Sequence, residues 1–158
     1  MLDQFLSIIK PVCTADVLVD ETSTPHAIKV SAQDIINVMD TLYRHPDTYF
    51  DMLSCVTGLD NGVEAGSMEV AYNLYSIPFN HHLMIKVLLP RTNPQIDSVA
   101  HIWKTANWHE REIFDMYGIN FKNHPDLRRI LMPADWEGHP LRKDYKHQAY
   151  YRDIKVEY

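Results

Sequence analysis

Apolar positions mark out the elements of this chain. Ile35, Val38, Met39 and Leu42 recur at i, i+3, i+4 and i+7, the stripe of a helix that buries one face. The spacing predicts a helix over 32–44, entered at Ser31 with Asp34 and stopped before Pro46. Leu2, Phe5, Leu6, Ile8 and Ile9 predict a shorter helix over 2–9, ended before Pro11. Elsewhere the period is two. Met68, Val70, Tyr72 and Leu74 alternate with Glu69, Ala71, Asn73 and Tyr75, and Leu83, Ile85, Val87 and Leu89 form a partner strand closed by Pro90. Phe50 to Leu59 is a further strand, separated from these by the turn sequence NGVEAG. Cys13, Ala15, Val17 and Val19 alternate with polar residues and predict a half-buried strand. His26 to Val30 predicts another, with Ile28 and Val30 inward and Lys29 outward. Ile96, Val99, Trp103 and Ala106 predict a helix over 96–106, and a second follows over 108–117. Hairpins dominate this order, so the fold class is α+β: about five strands with helices packed on one face.

The last of these helices carries its own punctuation. Asn107 is placed to cap, and Glu110, three residues on, to reach back as in a capping box. Glu110 and Glu112 suit the positive end of the helix dipole. Arg111 and Asp115 are spaced as an i, i+4 pair, and Gly118 can take the left-handed stop. Beyond it the periodicity is lost. Pro125, Pro133 and Pro140 forbid a continuous helix or central strand. Yet the segment carries Phe121, Leu127, Ile130, Leu131, Met132, Trp136 and Leu141 among Arg128, Arg129, Asp135, Glu137, Arg142, Lys143 and Asp144. Disordered chain is poor in such residues, and structureless loops of this length are uncommon and usually functional. Two readings stand level on these residues: a loop folded back over its own domain, or an arm that docks a partner protein. Arg and Trp are the types that anchor interfaces. The organisation is therefore residues 1–118 as the α+β domain and 119–158 as an extended C-terminal arm.

The stretch WHEREIFDMYGINFKNHPDLRRILMPADWEGHPLRKDY, Trp108 to Tyr145, closely resembles the C-type subunit family of respiratory NADH–quinone oxidoreductase, complex I. Charged, aromatic and Pro/Gly residues coincide at fixed offsets across about forty residues. The resemblance implies a two-layer domain with a mixed sheet. It also implies a non-catalytic core subunit of a proton-pumping enzyme's peripheral arm. Such a subunit scaffolds the quinone-reducing module by wrapping the D-type subunit, beside the B-type and I-type subunits. NADH and quinone are then bound by other subunits, and flavin mononucleotide and iron–sulfur clusters reside in those partners, with none in this chain. The location implied is the cytoplasmic face of a bacterial inner membrane, held there through the complex. The docking residues implied are Glu110, Arg111, Glu112, Asp115, His124, Pro125, Arg128, Arg129, Trp136, Gly138, His139, Pro140, Arg142, Lys143 and Asp144. A related membrane-bound hydrogenase or ferredoxin-driven complex shares the signature, so its equivalent subunit is the alternative. A stand-alone hydrolase using the Glu110–Asp115 carboxylates is a more distant one.

Composition narrows the chemistry. The 158 residues are enough for one domain with its own core. A net charge of −6 argues against nucleic acid. That charge is uneven: residues 1–93 hold 5 basic and 11 acidic side chains, whereas residues 119–158 hold 8 and 6. A mildly basic arm thus leaves an acidic body. Cys13 and Cys55 are too few for an iron–sulfur cluster, show no CxxC, and read as inert buried thiols. His81 and His82 are adjacent and point to opposite faces of a strand. In WHEREIFD the position four after His109 is Ile113, so the zinc-protease pattern is missing. No phosphate loop or nucleophile elbow is present. The N-terminus lacks a basic leader region, and no apolar run approaches the ~20 residues of a membrane helix.

Overall fold

A computed structural model describes residues 2–156. Its elements in chain order are α1 (Leu2–Ile9), β1 (Leu18–Asp20), β2 (Ala27–Lys29), α2 (Ile35–Arg44), β3 (Met52–Asp60), β4 (Ser67–Ser76), β5 (His81–Pro90), β6 (Gln95–Asp97), α3 (Ala106–Tyr117), β7 (Asn120–Lys122), β8 (Tyr150–Tyr151) and β9 (Ile154–Lys155). A five-stranded sheet runs β1-β2-β5-β4-β3. All its pairings are antiparallel except β2 with β5, so the sheet is mixed.

The alternation read from the sequence sets the register. Val70 faces Val87, Tyr72 faces Ile85 and Leu74 faces Leu83 across β4 and β5, and Ile28 of β2 lines up with Ile85. These residues join Phe5, Ile9, Ile35, Val38, Met39, Leu42 and Ile113 in one buried cluster, so the helices share one face of the sheet. The predicted stripe of α2 is wholly buried. His81 packs near Phe5 while His82 stacks on Tyr75, on opposite faces as expected. Gly58 of β3 admits α3: a Cβ there would sit 2.8 Å from Ile113 Cγ2 and 3.0 Å from Tyr117 Cδ2.

Three expected elements differ. The strand predicted over 13–19 is only Leu18–Asp20. The Asp34 carboxylate accepts from the Thr14 N–H (3.0 Å), the Thr14 hydroxyl (2.8 Å) and the Ala15 N–H (3.2 Å), which holds that segment as a loop. The same bonds remove Asp34 from capping, and α2 starts at Ile35. The helix predicted over 96–106 is instead strand β6 followed by turns. Gln95, Ile96 and Asp97 pair in parallel with Asn120, Phe121 and Lys122. A periodic stripe of four apolar residues cannot distinguish these outcomes when the pairing strand lies 25 residues away. Ile119 and Phe121, assigned to the arm by sequence, are core residues. The cysteines are half-buried rather than buried, and Cys55 Sγ accepts from Asn73 Nδ2 at 3.2 Å.

Candidate partner-docking site

Helix α3 is the platform of the site, and its acidic residues face inward. Asn107 lies inside the helix, Thr105 precedes it, and no side-chain cap forms. The expected capping box is absent because Glu110 is fully buried and turned toward the preceding segment. Its carboxyl accepts from the Ser98 hydroxyl (2.5 Å) and the Val99 N–H (2.8 Å). Burial pushes the Glu110 carboxyl up to about 7, against these two hydrogen bonds. The His124 imidazole stands 3.8 Å away, its side chain enclosed. Burial lowers the pKa of His124. Nδ1 accepts from the Asp126 N–H (3.0 Å), and Nε2 therefore carries the proton toward the Asn107 carbonyl (3.1 Å).

One turn further on, Asp115 receives the arm. This carboxylate is wholly buried. Oδ2 accepts from three consecutive backbone N–H groups, Ile130 (3.0 Å), Leu131 (2.7 Å) and Met132 (2.9 Å), and Oδ1 pairs with Arg129 Nη1 at 2.9 Å. Burial pushes the Asp115 carboxyl up, but these donors outweigh it and hold it below its usual range. The expected Arg111–Asp115 pair does not form. Arg111 is itself buried; its Nε donates to the Arg128 carbonyl (3.2 Å), and its guanidinium lies 5.0 Å from the Trp108 ring centroid.

The arm then crosses the C-terminal end of α3. Gly118 takes the left-handed conformation (φ 73°) as predicted. A Cβ there would sit 2.5 Å from His139 Nε2 and 2.9 Å from Arg142 Nη2, so glycine is needed twice over. His139 Nδ1 donates to the Asp115 carbonyl (3.0 Å), and Arg142 Nε donates to the Tyr117 carbonyl (2.6 Å). The Leu141 N–H donates to the Met116 carbonyl (3.0 Å). These bonds satisfy carbonyls that a helix end leaves open. A second tether lies at the β3–β4 turn. Asp60 holds Arg91 Nε at 2.9 Å and accepts from the Lys143 N–H at 2.9 Å, and Arg91 also pairs with Asp144. The Arg91 guanidinium holds the Asp60 carboxyl well below the usual carboxylate range.

These bonds divide the expected docking residues. Glu110, Arg111 and Asp115, expected among the docking groups, are buried within this chain. His124, Arg129, Gly138, His139, Pro140, Arg142, Lys143 and Asp144 lie along the folded-back arm. Arg129 also donates to the Gly138 carbonyl (3.0 Å). Glu112, Pro125 and Arg128 are exposed, and Arg128 pairs with Asp126. Trp136 is half-buried, its Nε1 donating to the Tyr145 hydroxyl (3.0 Å) and its ring near Tyr151. Sequence reasoning missed Asp60, Arg91 and Ser98 as partners of this region, since nothing local marks contacts 12 to 83 residues away. Of the tryptophans, Trp103 is buried in the core while Trp108 is 64% exposed. Among the described residues no group of three or more His, Cys, Asp or Glu side chains is placed to hold a metal ion. Among those residues no helix is long and apolar enough to cross a membrane.

Comparison with known proteins identifies the group to which this platform and arm belong. The family model described as respiratory-chain NADH dehydrogenase, 30 Kd subunit, matches residues 28–151. The C-type NADH-quinone oxidoreductase subunit of Chlorobium phaeobacteroides is 50% identical over 115 residues, covering 72% of this chain and 69% of that protein. Its counterpart in Trichlorobacter lovleyi is 46% identical over 123 residues, 77% of this chain and 75% of the relative. The one from Chloroherpeton thalassium is 53% identical over 110 residues, 69% of this chain but only 45% of the relative's length. Two solved structures share the fold at 21% identity. One is titled as the trypsin-resistant fragment (1-134) of Nqo5 (TM-score 0.60, covering 80% of this chain and 98% of that one). The other is from an archaeal respiratory membrane complex, the membrane-bound sulfane sulfur reductase (TM-score 0.72, covering 94% of this chain and 87% of that one). The chain belongs to the 30 kDa subunit family of respiratory-chain NADH dehydrogenase.

Proposed function

We propose that this chain is a non-catalytic core subunit in the peripheral arm of a proton-pumping NADH–quinone oxidoreductase, where its C-terminal segment docks onto the D-type subunit. The B-type and I-type subunits are its further neighbours in this reading. NADH, quinone, flavin mononucleotide and iron–sulfur clusters belong to those partners, and the chain sits at the cytoplasmic face of the inner membrane through them. One observation carries the docking role. Residues 125–156 contain no buried residue, yet they present Leu131 and Leu141, 60% and 51% exposed, and Trp108 of α3 is 64% exposed. Apolar groups held outward on a hydrogen-bonded segment suit an interface that a partner completes. The carboxylates that a hydrolase would need support the scaffold reading too. Glu110 and Asp115 are buried and committed to Ser98, Val99, Arg129 and the backbone of 130–132.

The equivalent subunit of a membrane-bound relative is the second reading. It is favoured by the sulfane sulfur reductase likeness, which covers 94% of this chain. The identities of 46–53% to NADH-quinone oxidoreductase subunits favour the first. Co-purification from the native membrane tests both. The proposal expects the D-type partner and flavin-containing NADH-oxidising subunits with the tagged chain. Recovery with a nickel-containing or sulfur-reducing assembly would support the second reading, and recovery of the chain alone would contradict both.

A further inference from the structure

We infer that Asp115 is a positioning residue for partner docking: its carboxylate fixes the arm so that Trp108, Arg128 and Leu131 form one surface. The inference rests on the docking role proposed above. Asp115 is fully buried and receives four donors from the arm, three of them consecutive backbone N–H groups at 2.7–3.0 Å. Three converging N–H groups leave the backbone of 130–132 little freedom. Leu131 is thereby left 60% exposed while its own N–H points inward. Arg111 completes the arrangement from beneath, its guanidinium under the Trp108 ring and its Nε on the Arg128 carbonyl. Trp108, Arg111 and Asp115 follow one stripe of α3, two turns or about 10 Å long. The arm runs alongside in the same sense, with Arg128 beside Arg111 and residues 130–132 beside Asp115.

The resulting surface is an exposed indole, an exposed leucine and an exposed guanidinium set on buried charge. The chemistry that recognises it is a protein surface with an apolar recess and a carboxylate at its edge. Trp108 is fixed by α3, but Arg128 and Leu131 have no core of the arm's own to place them, so losing the Asp115 carboxylate frees them from it.

The test uses the full chain. Asp115→Asn keeps the shape but turns an amide donor toward either the three N–H groups or Arg129. We expect hydrogen exchange of the 130–132 amides to rise at least about tenfold, with Met68–Leu74 and Leu83–Leu89 unchanged. Capture of the co-expressed D-type partner should weaken about tenfold or more. Asp115→Glu, worse in shape but a carboxylate, should retain more capture than Asp115→Asn; a residue that merely fills space would give the reverse order. Arg129→Gln removes the tether from the arm without touching α3 and should shift exchange and capture in the same direction, which keeps the test valid if the helix variant fails to fold. Unchanged exchange, wild-type capture by Asp115→Asn, or the reverse order of the Asn and Glu variants would overturn the positioning role while leaving docking intact. A wild-type chain that never captures the D-type partner would overturn the docking reading and this inference together.

Discussion

The two-layer domain and the arm are held by different forces. In the domain, Tyr72, Ile85, Ile28, Met39 and Leu42 are wholly buried in one apolar cluster. Burial of that kind is non-directional and roughly proportional to area. Along residues 125–156 no residue is fully buried; Leu127 packs half-buried against the core, and the segment is otherwise tied by Asp115, Asp60 and the carbonyls of Asp115, Met116 and Tyr117. Each such bond contributes on the order of 1 kcal/mol net, and more where a charge takes part. The domain therefore carries the stability, and the arm carries a conformation. A surface meant for a partner gains from this division, because its apolar groups remain available while its ordering cost is already met.

The strongest way to probe the contrast is to damage the core. Ile85→Ala, at the centre of the sheet, should cost about 2–5 kcal/mol. Thermal melting should drop, and arm protection should fall with it, since the platform is lost. Arm protection that survives loss of the domain would mean that the arm has structure of its own.

The next effect is a pH dependence from within the domain. The Glu110 carboxyl is raised from 4.5 to about 7 by burial. Between these values the folded chain keeps the proton and the unfolded chain releases it, so stability falls as pH rises across that window. The contribution is complete below pH 4.5 and gone above about 7. Glu110→Gln keeps an acceptor for Val99 and removes the titration. At pH 8 the variant should be the more stable by up to about 3 kcal/mol, with the two proteins converging near pH 4.5. Parallel urea midpoints across the range would refute the assignment.

Gly118→Ala joins the two regions. The left-handed φ and the collision with His139 should together cost about 1–3 kcal/mol. The loss should appear mainly as faster exchange at Leu141–Lys143, beside the helix end. Asp60→Asn should act more mildly, about 1–2 kcal/mol, by loosening Arg91 and the Lys143 N–H. Exchange of Lys143 should rise while that of Ile130 stays as it was. Coupled changes at both positions would show that the tethers act as one unit.

What the sequence disclosed divides along the same line. The stripe of α2, the alternation of β4 and β5, and the Gly118 stop were legible because apolar burial follows a local period. The five-stranded α+β sheet followed from them. The partners of Asp34, Glu110, Asp115 and Asp60 were not legible. A carboxylate satisfies capping, an i, i+4 pair or a distant backbone equally well by composition, and here the distant groups prevail over spans of 11 to 83 residues. The short parallel pairing of β6 with β7 was hidden for the same reason. Of the site, the residue types and their segment were visible, but not which of them face inward.

Native-state hydrogen exchange of the free full chain in rising urea tests the division most directly. The denaturant slope of an exchange free energy tracks the surface exposed when that amide opens. Met68–Leu74 and Leu83–Leu89 should open with the full slope of global unfolding. The amides of Ile130, Leu131, Met132 and Lys143 should be protected, but open at lower free energy with a slope near zero. Arm amides that merge with the global isotherm would place the arm within the cooperative core. Arm amides with no protection at all would show that the Asp115 and Asp60 tethers do not hold, and either result would contradict the division of the molecule into a stable domain and a tethered arm.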